Sequence, residues 1–184
     1  MNAETTIQAR WHDIAAPFTQ TVGQVGDWHA PTPCEGWDAA TLLDHVVTSQ
    51  RDFVARNGRE VPVFDGSRSD DRRVQWIKHE AAVDALSSDE SFIQQTMRTA
   101  LGEETVGEAL LRFHGFDLLV HRWDLARSQG LVVEFTDAEL DRIEASLDAF
   151  GDQAYAPGIF GPAVDVPADA DRQTRLLART GRAV

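Results

Sequence analysis

Apolar residues recur at intervals of three and four through most of this chain, and that spacing restricts what it can fold into more than any other feature. Ile7, Trp11, Ile14, Phe18 and Val22 mark one face of an amphipathic helix running from about Thr6 to about Val25. Gly26 and Pro31 break it, and the loop HAPTPCEGW carries two prolines and a glycine. Asp38 then reads as the N-cap of a second helix, about Ala39 to Arg56, with Leu42, Leu43, Val46, Val47, Phe53 and Val54 as its stripe. Asn57-Gly58 ends that helix, the segment to Asp71 reads as a surface loop, and a third helix covers about Asp71 to Leu86. The stretch SFIQQTMRTALGEE, with Gly102 inside it, fits extended chain or a short helix, and periodicity does not choose between them.

The second half repeats the pattern with clearer punctuation. TVGE at Thr105 to Glu108 has the capping-box form and opens a fourth helix that runs to about Ser128, with Gly130 as its left-handed C-terminal residue. LVVEF follows as a short apolar connection or strand. TDAE at Thr136 to Glu139 is a second capping box, opening a fifth helix whose inner face is Leu140, Ile143, Leu147 and Phe150. The chain then turns rich in Gly and Pro, an irregular crossing anchored by Ile159, Phe160, Val164 and Val166, before a short last helix around Leu176 and Leu177. There is no internal repeat or linker. The fold class is therefore all-α: a helical bundle with a long irregular C-terminal segment and a short last helix, in a single domain over residues 1–184.

Composition narrows the function. The 184 residues, 42% hydrophobic, suffice for one core but hardly for two. Thirty acidic against 17 basic residues give a formal charge of -13, which repels polyanions, and the arginines are scattered, not gathered into a stripe. Nucleic acid and anionic membrane surfaces are not expected partners; a small-molecule substrate is. The first residues lack a basic stretch followed by an apolar one, and no window approaches a membrane span, so a soluble, cytoplasmic protein is expected. With Cys34 as the lone cysteine there is no disulfide framework and no cysteine cluster, which directs any metal site to His, Asp and Glu.

Those residues meet on the fourth helix. At 100° per residue, Val106, Leu110, Phe113, Asp117, Val120, His121 and Asp124 share one stripe, with Leu111, Leu118 and Leu125 as a second apolar flank. A carboxylate buried there without a partner costs several kcal/mol or neutralises itself. Asp117 and His121, at i and i+4, answer this either as a local ion pair or as two ligands converging on one metal ion. His45, at the edge of the second helix's stripe, is the best candidate for a third ligand. Asp124, one turn past His121, either accepts from the far ring nitrogen of His121, orienting it, or serves as a cap or an ion-pair partner for an arginine. His114 reads as a core-edge or surface histidine, and Cys34 as a small apolar filler. Trp37 and Trp123 read most simply as packing residues, with substrate contact the lesser alternative, and His12, His29 and His79 as facing solvent.

The pieces TPCEGWDAATLLDHVV, FDLLVHRWDLARSQG and FGPAVDVPADADRQTRLLA, in this order across nearly the whole chain, resemble the mycothiol-dependent maleylpyruvate isomerase-like metal-binding family of the DinB-like four-helix bundle superfamily. The resemblance implies a divalent metal, usually zinc, held by a histidine of the second helix and by an acid followed four residues later by a histidine. The matching positions are His45, Asp117 and His121. Two departures accompany it. The family's isomerase carries a second, C-terminal domain that helps to form its active site, whereas this chain ends soon after its bundle, and Asp117 stands where the isomerase type has the longer glutamate.

Two imidazoles and one carboxylate leave zinc an open position, and the same set forms the facial triad of a non-haem iron site; nickel is a further candidate. Such a site activates water or a low-molecular-weight thiol, and the resemblance favours the thiol. The reading is a divalent-metal-binding protein, transferase or isomerase-like, using a mycothiol-type thiol as cosubstrate. The alternatives are a non-catalytic bundle that binds metal or a small molecule, and a metal-dependent hydrolase. A homodimer is implied by the superfamily.

Overall fold

The structure, a computed structural model, describes residues 5–63, 72–155 and 159–183. Among these residues it is all-α apart from one small hairpin. The first helix, α1 (Ile7–Gly23), starts where the Thr6 side chain accepts from the Ala9 amide, and it buries Trp11, Ile14, Phe18 and Val22. The second, α2 (Ala39–Arg56), starts at Asp38, whose carboxylate takes the Thr41 amide at 2.8 Å. The predicted surface loop continues to Val63, and residues 64–71 of it lie outside the described residues.

α3 (Arg72–Ser87) turns Trp76, His79 and Val83 inward, with Trp76 edge-on to Phe18 at 4.8 Å between ring centroids. His79 is therefore not a surface histidine. It is 0% exposed and shares a 2.8 Å hydrogen bond with Gln50 of α2, because α3 leans on α1 and α2 through this face. The stretch that periodicity left open contains both conformations: a single turn, α4 (Glu90–Ile93), then an antiparallel hairpin of β1 (Thr96–Thr99) and β2 (Gly102–Thr105). Thr96 pairs with Thr105 and Thr99 with Gly102, and Gly102 takes φ +120 at the turn.

The predicted fourth helix is one rod in three parts: α5 (Val106–Ala109), a π-helical stretch (Leu110–Gly115) and α6 (Phe116–Ser128). Thr105 caps it by accepting from the Glu108 amide, but the reciprocal half of the capping box is missing because Glu108 pairs with Arg10 at 2.6 Å. The π stretch adds about one residue to the turn, so the face drawn at a uniform 100° slips upstream of Gly115. His114 consequently turns inward, edge-on to Phe53 of α2 at 4.8 Å, while Phe113 stacks on Phe150.

The rod is buried almost all round, as a helix packed against α1, α2 and α7 (Asp137–Phe150) must be. Each fully buried leucine, such as Leu110, Leu118 and Leu125, contributes about 1.5–3 kcal/mol relative to exposure. α7 starts at the expected capping box, with both halves formed at Thr136 and Glu139. A 3-10 turn (Gly151–Tyr155) leads to the tail and α8 (Arg172–Arg179). The tail is anchored by fewer residues than expected: Phe160 packs on Phe116, but Ile159 and Val164 are exposed and Val166 is only partly covered. The Val164 amide instead donates to the Ala178 carbonyl at 3.0 Å, and Gly161 lies against Gly181. No helix among the described residues is long and apolar enough to cross a membrane.

Candidate metal centre

α2 and α6 pack so that His45 looks across at the ion pair on α6. His121 Nε2 lies 3.2 Å from Asp117 Oδ1, and His45 Nε2 lies 3.7 Å from Asp117 Oδ2. One donor atom from each of the three residues falls within 4.8 Å of the other two. The His45 and His121 rings stand 5.3 Å apart and nearly perpendicular, at 76°. The His45 side chain is 38% exposed and that of His121 8%, so the cluster opens to solvent on the α2 side.

Its rim is built by the loop before α2. Cys34, Glu35, Gly36 and Trp37 form a turn closed by the Trp37 amide donating to the Cys34 carbonyl at 3.0 Å. Gly36 takes φ +77, which a type II turn requires at its third residue. The turn sets the Trp37 ring 4.7 Å from that of His45 and 6.0 Å from that of His121. Trp37 thus walls the cluster, a role beyond the packing expected of it. The same turn sends the Cys34 thiol to Asp124, to whose Oδ2 it donates at 3.4 Å. Cys34 is a polar contact of the site, not an apolar filler.

Behind His121 the two readings of Asp124 hold together. His121 Nδ1 is 2.9 Å from Asp124 Oδ2, and the Arg182 guanidinium grips the same carboxylate through Nε to Oδ1 at 3.0 Å and Nη2 to Oδ2 at 2.6 Å. Arg182 Nη2 also reaches Cys34 Sγ at 3.7 Å. Asp124 is fully buried. Cys34, His121 and Asp124 cluster as closely as the first three residues, yet a guanidinium already supplies the positive charge there. On the side of His121 that faces His45 and Asp117 no guanidinium is paired with the carboxylate among the described residues.

The electrostatics follow from these neighbours. Burial pushes the His121 imidazole down, but Asp117 and Asp124 on either side raise it well above the ordinary histidine range. Burial likewise opposes ionisation of Asp117, and the His121 and His45 rings overcome it, holding that carboxyl far below its usual value. Asp124 is also held low against burial, by His121 and Arg182. His114 lies one turn before Asp117 on the same rod, and burial pushes it down to about 4. It is outside the converging set.

A cation fits the cluster on one specific observation. Asp117 Oδ2 is buried and has no hydrogen-bond partner among the described residues, although it faces His45 Nε2 across 3.7 Å. A carboxylate that faces one imidazole nitrogen with each oxygen, one of those oxygens buried and unpartnered, is a donor set suited to a borderline-soft divalent ion. Of the side chains gathered here, helical spacing singles out Asp117, His121 and Asp124 and offers His45 as a candidate. It missed Trp37 and Cys34, whose Pro33 and Gly36 bracket did signal a turn, and Arg182, which lies 58 residues beyond its partner Asp124.

A helical bundle of this order, with two histidines and an aspartate facing one another across α2 and α6, belongs to the DinB-like class. Within that class the chain belongs to the mycothiol maleylpyruvate isomerase N-terminal domain family, whose model matches residues 9–126. That span includes Cys34, Trp37, His45, Asp117, His121 and Asp124 but stops short of Arg182. Two uncharacterized proteins of Mycobacterium tuberculosis, from strains CDC 1551 / Oshkosh and ATCC 25618 / H37Rv, are each 30% identical over 162 residues, 84% of this chain and 84% of theirs. No solved structure matches the chain at a significant level.

Proposed function

We propose that this protein holds a divalent metal ion, zinc in the first instance, through His45, Asp117 and His121, and uses it to bring a mycothiol-type thiol onto a small electrophile, as a transferase or isomerase-like enzyme. The observation that carries the reading is the Asp117 carboxylate, whose Oδ1 lies 3.2 Å from His121 Nε2 and whose buried Oδ2, without a hydrogen-bond partner among the described residues, faces His45 Nε2 at 3.7 Å. A divalent ion with two imidazoles and one carboxylate keeps an open position and there lowers the pKa of a coordinated thiol.

The chain's own residues supply the rest. Asp124 accepts the Nδ1 proton of His121 and so leaves Nε2 free to face Asp117. Trp37 covers the His45 and His121 rings, which limits the approach of water and offers an apolar wall to the body of a substrate. Charge counting favours an anionic ligand: Asp117 and Asp124 balance the charge of a divalent ion, and Arg182 leaves one positive charge over. A thiolate or a hydroxide removes that surplus. Family membership points to the same class of ligand.

The test is elemental analysis of the purified and zinc-reconstituted protein, followed by turnover of a chromogenic aryl halide with and without thiol. About one metal ion per chain is expected, with a melting temperature that falls under chelator. His121→Ala should abolish thiol-dependent turnover with the helical circular dichroism retained. No bound metal after reconstitution, with a melt unmoved by chelator, overturns the reading, and turnover independent of thiol replaces it with hydrolysis.

A further inference from the structure

The C-terminal tail ends beside the cluster by a route that leaves little freedom. From α8 the chain passes Thr180 and Gly181, and Gly181 has φ +81. A Cβ there would stand 3.1 Å from the backbone of Gly161, so position 181 requires glycine both for its φ and for this close approach. The turn delivers Arg182, whose Nη1 donates to the Thr180 carbonyl at 2.9 Å while Nε and Nη2 fork onto Asp124. Arg182 is 8% exposed and Asp124 0%. Asp124 Oδ2 is the atom that also receives His121 Nδ1.

We propose that Arg182 is a positioning residue: from the C-terminal tail it holds Asp124 so that His121 keeps Nδ1–H on Asp124 and presents Nε2 to His45 and Asp117. The inference rests on the metal reading above and assigns to it a residue from the far end of the chain. Asp124 alone cannot do this work. A buried carboxylate on α6 without Arg182 either turns toward water or takes up a proton, and both moves remove the acceptor that fixes the imidazole. Arginine suits the task because its planar fork holds both oxygens at once while Oδ2 remains within 2.9 Å of His121 Nδ1. A lysine at the same place supplies charge but only one point of attachment. Partners of this kind, which orient a ligating histidine through its other nitrogen, typically change metal affinity by about 10–100-fold when removed.

The experiment uses the full chain and four proteins: wild type, Arg182→Met, Arg182→Lys, and Tyr155→Phe as a control. Tyr155 ties the 3-10 turn to α8 through the Arg179 carbonyl at 3.1 Å and does not touch Asp124, so its loss loosens the tail without disturbing the relay. Zinc affinity is read by competition with a chromophoric chelator. In metal-free protein the carboxylate-bound Nδ1 proton of His121 is read by NMR and assigned by its disappearance in His121→Gln. Arg182→Met should bind zinc about 10–100-fold more weakly and lose the slowly exchanging Nδ1 proton, Arg182→Lys should fall between, and Tyr155→Phe should match wild type. A folded Arg182→Met with wild-type affinity and an intact Nδ1 resonance overturns the proposal. If Arg182→Met does not fold, Arg182→Lys decides, and wild-type behaviour on both readouts overturns the two-point hold. If wild type takes up no zinc, the metal reading has failed, and the Nδ1 resonance alone judges whether Arg182 positions the ring.

Discussion

Acid should unfold this protein partly through a histidine that has no part in the site. His79 is completely buried, its Nε2–H donates to Gln50 Oε1 at 2.8 Å, and its Nδ1 has no partner among the described residues. Burial, helped by the nearby positive charge of Arg51, pushes its pKa from 6.5 down to about 4. The sign follows directly. Above pH 6.5 the ring is neutral in folded and unfolded chains alike, and its neutral form imposes no penalty. As pH falls below 6.5 the unfolded chain takes up a proton that the folded chain refuses until about pH 4, so stability is lost across that window. At about 1.4 kcal/mol per pH unit, the loss approaches 3.4 kcal/mol at the bottom of the window and is about 2 kcal/mol at pH 5. His79→Gln removes the titration while keeping an amide donor near the position of Nε2. Urea unfolding followed by circular dichroism, at steps from pH 8 to pH 5 on both proteins, cancels every other titrating group. The variant should be the less acid-sensitive of the two, its stability relative to wild type rising by about 2 kcal/mol between pH 8 and pH 5. A difference that stays constant within about 0.5 kcal/mol refutes the neutral, buried His79.

Two further outcomes test the site and the core. Because Asp117 and Asp124 hold the His121 proton against the pull of burial, zinc uptake near neutral pH should release about one proton per ion, and affinity should rise with pH; calorimetry in buffers of different ionisation enthalpy reads this, and zero release contradicts it. Gly107→Ala should lower stability by about 1–2 kcal/mol despite the better helix former, because the new Cβ would lie 3.0 Å from Ile93 Cβ and 3.1 Å from Ile7 Cγ1; a thermal melt that rises instead removes the overpacking argument.

What was legible in the sequence divides by the range of the interactions involved. The start of α2 at Asp38, the capping box of α7 and the stop at Gly130 rest on contacts within four residues, and they stand where the spacing put them. The opening of the rod was half legible. Thr105 caps it, but Arg10, 98 residues away, claims the Glu108 carboxylate that a local rule assigns to the N-cap amide. The π stretch defeated the helical wheel because the wheel assumes one angle throughout, and His114 packs on Phe53 while Phe113 packs on Phe150. His79 was misread because its burial is decided by Gln50 and by the packing of α3 on α1 and α2, none of which is local to α3.

The site follows the same division, and this bears on its chemistry. His121 sits between two carboxylates of its own rod, Asp117 four residues before it and Asp124 three residues after, and helical spacing alone predicts both contacts. From spacing the two flanks look equivalent. They differ only in what the distant chain brings to each. At Asp124 the tail supplies Arg182, a permanent cation that satisfies both oxygens, and the loop before α2 supplies the Cys34 thiol. At Asp117 α2 supplies His45, a neutral donor when it ligates, and one carboxylate oxygen is left without a partner. A buried anion whose countercharge is a permanent guanidinium has no use for another cation, whereas Asp117 is paired with a histidine proton that a metal ion would displace. On the proposed metal reading, the long-range contacts decide which face of His121 is structural and which is left for an ion, and that asymmetry, which no single helix carries, is what Arg182→Met tests.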